Sequence, residues 1–151
     1  MRSEKLGVLD EAGFASGPRK VELLAPAGNW EKLEIAVHYG ADAVYLGVTG
    51  GTNLRAGAKN FSPEELCPAV TFAHARGVKV YLTLNVFAHD GGMAAVAASV
   101  QLAQRAGVDA VIVSALGVLT LVRELAPQML LHISTQATTV NSRGVQAWQT
   151  L

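Results

Sequence analysis

The chain has 151 residues, of which half are hydrophobic and 16% charged, with 12 cationic and 12 anionic side chains giving a formal net charge of zero. That is room for one compact domain with a real core, and it excludes a disordered tail and a globally basic nucleic-acid binder. One cysteine, Cys67, excludes an internal disulfide, a Cys-x-x-Cys zinc knuckle and a complete cysteine-ligated cluster, and a reducing cytoplasm is the expected compartment.

Residues 1–20 carry Arg2, Glu4, Lys5, Asp10 and Glu11 among scattered apolar residues and lack the apolar run of a signal peptide. They read as a flexible leader ending at Ser16-Gly17-Pro18. No run of about 18 apolar residues marks a transmembrane span. Residues 21–151 then alternate two textures. Short aliphatic runs, Val21–Ala25, Ala43–Leu46, Val78–Leu84, Ala110–Val113 and Leu130–Ser134, are nearly continuous in hydrophobicity, as expected for parallel strands covered on both faces.

Between them lie helical patterns with clear punctuation. Asn29 caps a helix from Trp30 to about Tyr39 with Leu33, Ala36 and Val37 on its inner stripe. Ser62-Pro63-Glu64-Glu65 is a capping box, opening a helix that runs to Arg76 and stops at Gly77. Pro68 falls near the sixth position of that helix, which predicts either a kink or a later start. Cys67 beside it reads as a small buried apolar residue. Further helices are predicted around Met93–Val100, ending at Gly107, around Val118–Leu125, and from about Asn141, still running at Leu151.

Tyr39-Gly40-Ala41-Asp42-Ala43-Val44 is repeated as Ala106-Gly107-Val108-Asp109-Ala110-Val111, with a looser copy at Arg76–Val80. Each copy is a helix stop followed at once by a strand, so the repeating unit is β-loop-α. Five such units fit either a doubly wound flavodoxin-type sheet or the N-terminal part of a (β/α)8 barrel. Two features favour the barrel: the unfinished helical pattern at Leu151, and polar residues of one parity at the strand ends. Thr83 with Asn85, and His132 with Ser134 and Gln136, point to one side of the sheet, where a barrel interior can use them.

Barrel function collects at the carboxyl ends of the strands. After the first strand, Pro26–Asn29 leads into a helix N-terminus that reads either as a weak anion site or as a capped βα turn. After the second, the long Gly47–Phe61 connection holds two cations, Arg55 and Lys59; Arg55 is the better clamp for a carboxylate or phosphate. After the third, His89 beside Asp90 is a candidate general acid or base, with Asn85 as a hydrogen-bonding partner in catalysis. After the fifth, Ser134, Thr135, Gln136 and Asn141 are candidate substrate-binding residues. His132, one layer deeper, and Glu22 are assigned to a structural polar network, and His38 and His74 to helices with structural roles. No metal site, G-x-S-x-G elbow, H-E-x-x-H helix or phosphate loop is present in the sequence.

Glu22–Asn29 and Tyr39–Gly47 resemble the collagenase-like peptidase family U-32. So do Asn53–Ala56, Asn60-Phe61-Ser62, Ala73–Gly77, Leu84-Asn85 with His89, and His132–Ala137 with Asn141. The resemblance covers about Val21 to Leu151. It implies the first part of a barrel, in a family named for proteolysis (a hydrolase activity). Several of its members are partners in oxygen-independent hydroxylation of RNA bases or of ubiquinone precursors. In those members an iron–sulfur cluster is held by four cysteines later in the chain, which Cys67 does not match. The resemblance therefore implies an N-terminal fragment of a peptidase-like or RNA-modification protein with no cofactor of its own. Its substrate is RNA, a peptide or a small anionic molecule, and its exposed strand edges favour self-association. A non-catalytic RNA- or anion-binding module and an inactive fragment are the alternatives.

Overall fold

The computed structural model describes residues 21–50, 52–53 and 59–151. The leader assigned to residues 1–20, and Arg55, lie outside the described residues. Five strands, β1 (Leu24–Pro26), β2 (Ala43–Leu46), β3 (Lys79–Leu84), β4 (Ala110–Val113) and β5 (Leu130–Ile133), form one parallel sheet in the order β1-β2-β3-β4-β5. Helices α1 (Trp30–His38), α2 (Pro63–His74), α3 (Met93–Ala106), α4 (Leu116–Leu125) and α5 (Ser142–Gln149) follow the strands in turn. The strictly sequential order is that of a (β/α) barrel, and it removes the flavodoxin-type alternative, whose strand order reverses at a switch point.

The two faces of the sheet differ in chemistry. Val44, Leu46, Val80, Leu82, Leu84, Val111 and Val113 alternate onto one face and form the main core with Leu33 of α1, Leu66 and Val70 of α2, Val96 and Val100 of α3, and Val118 and Val122 of α4. The opposite parity places Ala43, Tyr45, Tyr81, Ala110 and Ile112 together in a second, smaller cluster. Thr83 and His132 share this inner parity, because Thr83 is paired with Ile112 and Ile112 with His132.

Most predicted boundaries fall within a residue or two of the observed ones, and the departures have local causes. The β1 ladder runs Leu24–Pro26 and not Val21–Ala25. Leu23 O accepts from the Asp42 and Ala43 amides and Ala27 N donates to Tyr45 O, so alternate residues bond to β2 and Pro26 has its nitrogen on the outer edge, where a missing N–H costs nothing. Helix α2 starts at Pro63 as the capping box requires, with Ser62 Oγ accepting from Glu65 N and Glu65 Oε2 accepting from Ser62 N. It continues through Pro68, so the later start does not occur. Cys67 is exposed, contrary to the expectation of burial. The buried stripe of α2 is Leu66, Ala69, Val70 and Ala73, and position 67 lies off it. The last helix is assigned over Ser142–Gln149, and Thr150, in a helical conformation, still donates from its amide to Gln146 O.

Candidate functional site

Leu84, Val113 and Ile133 are paired across β3, β4 and β5. The residues that follow them, Asn85, Ser114 and Ser134, therefore form a polar row across the carboxyl ends of three adjacent strands, on the inner parity. The row is hydrogen-bonded: Ser114 Oγ donates to Asn85 O at 3.3 Å and Ser134 N donates to Val113 O at 2.8 Å. One layer below, Thr83 Oγ1 donates to Leu46 O at 3.0 Å. Asn85 and Ser114 are half-buried and Ser134 is buried.

After Ser134 the chain makes a 3-10 turn, Thr135–Ala137, with Ser134 Oγ accepting from Gln136 N at 3.4 Å. Thr138 then adopts a left-handed conformation at φ 51°. Gln136 Oε1 is buried with no hydrogen-bond partner in the structure. A buried acceptor left unmade costs on the order of 1–3 kcal/mol. Thr135 is exposed. Asn141 Oδ1 accepts from Gly144 N at 3.0 Å, which makes it the cap of α5. Asn29 likewise caps α1 through Lys32 N, the plain-turn alternative for that segment.

On the β3–α3 connection His89 is exposed and makes no side-chain cap bond to the turn Asp90–Gly92 that follows. The β2–α2 connection is pinned where it leaves and rejoins the sheet. Val48 and Phe61 form a bridge, Thr49 N donates to Phe61 O, and Phe61 N donates to Gly47 O. Asn53 is buried and gives its amide to Val48 O at 3.0 Å, and Ser99 Oγ of α3 donates to buried Thr52 at 3.3 Å. A Cβ at position 47 would lie 2.7 Å from both Asn53 Nδ2 and Asn60 Oδ1, so a larger residue there would have to displace these two side chains.

At the other end of the inner face lies the polar network. Glu22 Oε1 accepts from Tyr81 Oη at 2.6 Å and Glu22 Oε2 from Lys79 Nζ at 2.8 Å. The His132 ring packs edge-on against Tyr81 with centroids 4.5 Å apart. The hydrogen bonds from Lys79, then from Tyr81, hold the Glu22 carboxyl below its ordinary range. Burial first, then the Glu22 carboxylate, pushes the Tyr81 phenol up, and Lys79 is raised by its bond to Glu22. Glu22 and His132 thus meet through Tyr81. Neither Tyr81 nor Lys79 stands out as a site residue in the sequence. Their signal is positional: both share the inner parity with Thr83.

The structure brings Asn85, Ser114 and Ser134 together and Glu22 with His132, and it commits Asn141 to a helix cap. The single Cys67 lies exposed on α2, and no group of three or more His, Cys, Asp or Glu among the described residues could hold a metal ion. The donor set of this chain does not fit a four-thiolate cluster. No described helix is long and apolar enough to cross a membrane.

Comparison with known proteins gives a consistent assignment. The tRNA hydroxylation protein P1 of Bacillus subtilis (strain 168) is 44% identical over 131 residues, which cover 87% of this chain and 31% of that protein. An uncharacterized protease, MJ0090, of Methanocaldococcus jannaschii is 43% identical over 122 residues, 81% of this chain and 29% of that protein. The chain thus spans about three tenths of the length of these relatives. Among solved structures, the U32 peptidase Mk0906 superposes with a TM-score of 0.64 at 19% identity, over 91% of this chain and 57% of that one, a likeness of fold. The model of Peptidase family U32 matches residues 28–151, and the chain belongs to that family.

Proposed function

We propose that this chain is the N-terminal part of an RNA-base hydroxylation protein, and that its contribution is to bind and orient the RNA substrate at the carboxyl ends of its strands. The observation that carries the reading is the row Asn85–Ser114–Ser134, three hydrogen-bonding side chains from three strand ends, next to the unpartnered acceptor Gln136 Oε1. Amide and hydroxyl groups in such a row match the donor and acceptor edges of a base. The similarity to a protein named for tRNA hydroxylation supports the same substrate class. A tRNA substrate implies a cytoplasmic location.

In this reading Arg55 and Lys59 hold backbone phosphate, Asn85, Ser134, Thr135 and Gln136 hydrogen-bond the base, and His89 moves a proton. Asn141 fixes the start of α5. Any iron–sulfur cluster that serves the reaction comes from outside this chain. His132 and Glu22 keep Tyr81 in place and do not touch substrate.

The test pairs tRNA binding with thermal melting. Arg55→Ala is expected to weaken binding several-fold and to reduce the salt dependence by about one phosphate contact, with no change in Tm. His132→Ala is expected to lower Tm by a few degrees through loss of an aromatic pair worth about 0.5–1.5 kcal/mol, with little effect on binding. Failure of the wild-type chain to bind tRNA overturns the reading, and cleavage of gelatin by it in the same preparation overturns it in favour of a peptidase module.

A further inference from the structure

Phe87 stands at the apex of a three-residue turn at the carboxyl end of β3. Ala88 N donates to Val86 O at 3.0 Å, closing the turn across Phe87. The two shoulders, Val86 and Ala88, pack against the hydrophobic core, so the backbone is anchored on both sides of the ring. Phe87 itself is 66% exposed, whereas Phe61 is buried and Phe72 packs against Trp30 and beneath Arg76. Among the described phenylalanines and tryptophans it is the one exposed ring. Leaving a phenyl ring in water forgoes about 1.5–3 kcal/mol of burial, which an anchored turn would recover by facing the ring inward.

Two residues to either side of Phe87 along the chain, polar side chains follow the carboxyl end of β3. Asn85 precedes it by two residues and is tied through its carbonyl to Ser114 on the next strand end. Exposed His89 follows it by two residues. Leu116, at the start of α4 beyond Ser114, adds a second exposed apolar side chain at the adjacent strand end. A flat, exposed ring held at a strand end by an anchored turn offers a stacking face. A base inside a duplex shows its edges but hides its faces, so such a ring selects an unstacked base.

We propose that Phe87 is a stacking platform for an unpaired RNA base, which makes single-stranded RNA the form of substrate that this end of the sheet takes. The inference rests on the RNA-binding reading above and names the residue and the strandedness that the reading leaves open.

The experiment measures fluorescence polarisation of a labelled single-stranded RNA of about a dozen nucleotides, against the same sequence as a duplex and an abasic strand of equal length. The wild-type chain is expected to prefer the single strand to both controls. Phe87→Ala is expected to lose roughly 5- to 100-fold in affinity for the single strand and little for the abasic strand. Phe87→Leu should lose nearly as much, because leucine keeps the apolar contact and not the π-face. Phe87→Trp should keep affinity and show tryptophan quenching on RNA addition beyond any change in the wild-type chain. If Phe87→Ala fails to fold by circular dichroism, the Phe87→Trp quench decides alone. No RNA binding by the wild-type chain sinks the reading and this inference with it. Wild-type binding with Phe87→Ala or Phe87→Leu unimpaired, or no quench in Phe87→Trp, sinks the inference and leaves the reading standing.

Discussion

Tyr81 Oη donates a 2.6 Å hydrogen bond to Glu22 Oε1, joining the middle of β3 to the residue two positions ahead of β1. The second carboxylate oxygen takes Lys79 Nζ, so one side chain holds two groups of β3 in place. Tyr81 is buried and its ring supports His132, which makes Glu22 the outer anchor of the inner face.

This network predicts a stability profile with two limbs. The folded state holds Glu22 below its ordinary value of 4.5, so its contribution is full above that value and is lost as pH falls through the lower folded one. Tyr81 is raised above 10.0 and Lys79 above 10.5, so their contributions are full below those values and are lost as pH rises through the folded ones. Glu22→Gln removes the common partner. The difference in Tm between wild type and Glu22→Gln should be largest near neutral pH and shrink towards both extremes. A constant offset from acid to alkali would show that the three groups are not linked.

The repeated Gly-x-Asp of the sequence shows what was legible and what was not. Helix stop and strand start could be read from Gly40 and Gly107, which take φ 84° and 73°, and from the aliphatic residues that follow. The role of the aspartates could not, because it crosses the sheet. Asp42 N donates to Leu23 O while Asp42 Oδ2 accepts from Leu23 N, and Asp109 makes the same pair of bonds with Val80. Asp109 Oδ2 also meets His74 Nε2 at 2.8 Å, giving that histidine its structural place. In the third copy Lys79 stands at the aspartate position and reaches Glu22 instead.

The polar side of the candidate site was legible for a similar reason: parity along a strand puts Thr83 and Asn85 on one face from sequence alone. Tyr81 and Phe87 were not legible, because an aromatic residue in or beside an apolar run reads as core until its neighbours are placed. Tyr81 is core with a polar hand, whereas Phe87 is lifted out by a turn that the sequence Val86-Phe87-Ala88 does not announce.

The two edges of the sheet differ, which sharpens the expectation of self-association. On β1 the pyrrolidine ring of Pro26 occupies a position whose nitrogen faces outward, so that edge lacks a donor and resists strand addition. On β5 Leu130 is 64% exposed, and a groove of about 530 Å³ runs beside the strand, lined among others by Leu131, Ile133, Val145 and Trp148. We expect association through β5. Leu130→Lys should shift sedimentation towards monomer at little cost in Tm, while Leu24→Lys on β1 should leave the distribution unchanged. The reverse ranking would place the sticky edge on β1.

Pro68 gives the last prediction. It sits at the sixth residue of α2, past the first turn where a proline is free of cost, and its nitrogen cannot donate to the carbonyl of Glu64. The helix forms anyway because its start is over-determined: the reciprocal Ser62–Glu65 capping box and Pro63 at the first position fix the first turn, and Leu66, Ala69, Val70 and Ala73 bury the inner stripe. Pro68 and Glu64 are both exposed, so alanine at position 68 fills no core space and restores one backbone bond. Pro68→Ala should therefore stabilise the chain by about 1–3 kcal/mol, partly offset by the greater freedom of the unfolded chain. At about 2–4 °C per kcal/mol for a domain of this size, the gain should appear as a rise of several degrees in Tm. Ser62→Ala is the paired variant, expected to lower Tm through loss of a cap worth about 1 kcal/mol. A fall in Tm for Pro68→Ala would mean that the proline is held by contacts on the outer face of α2.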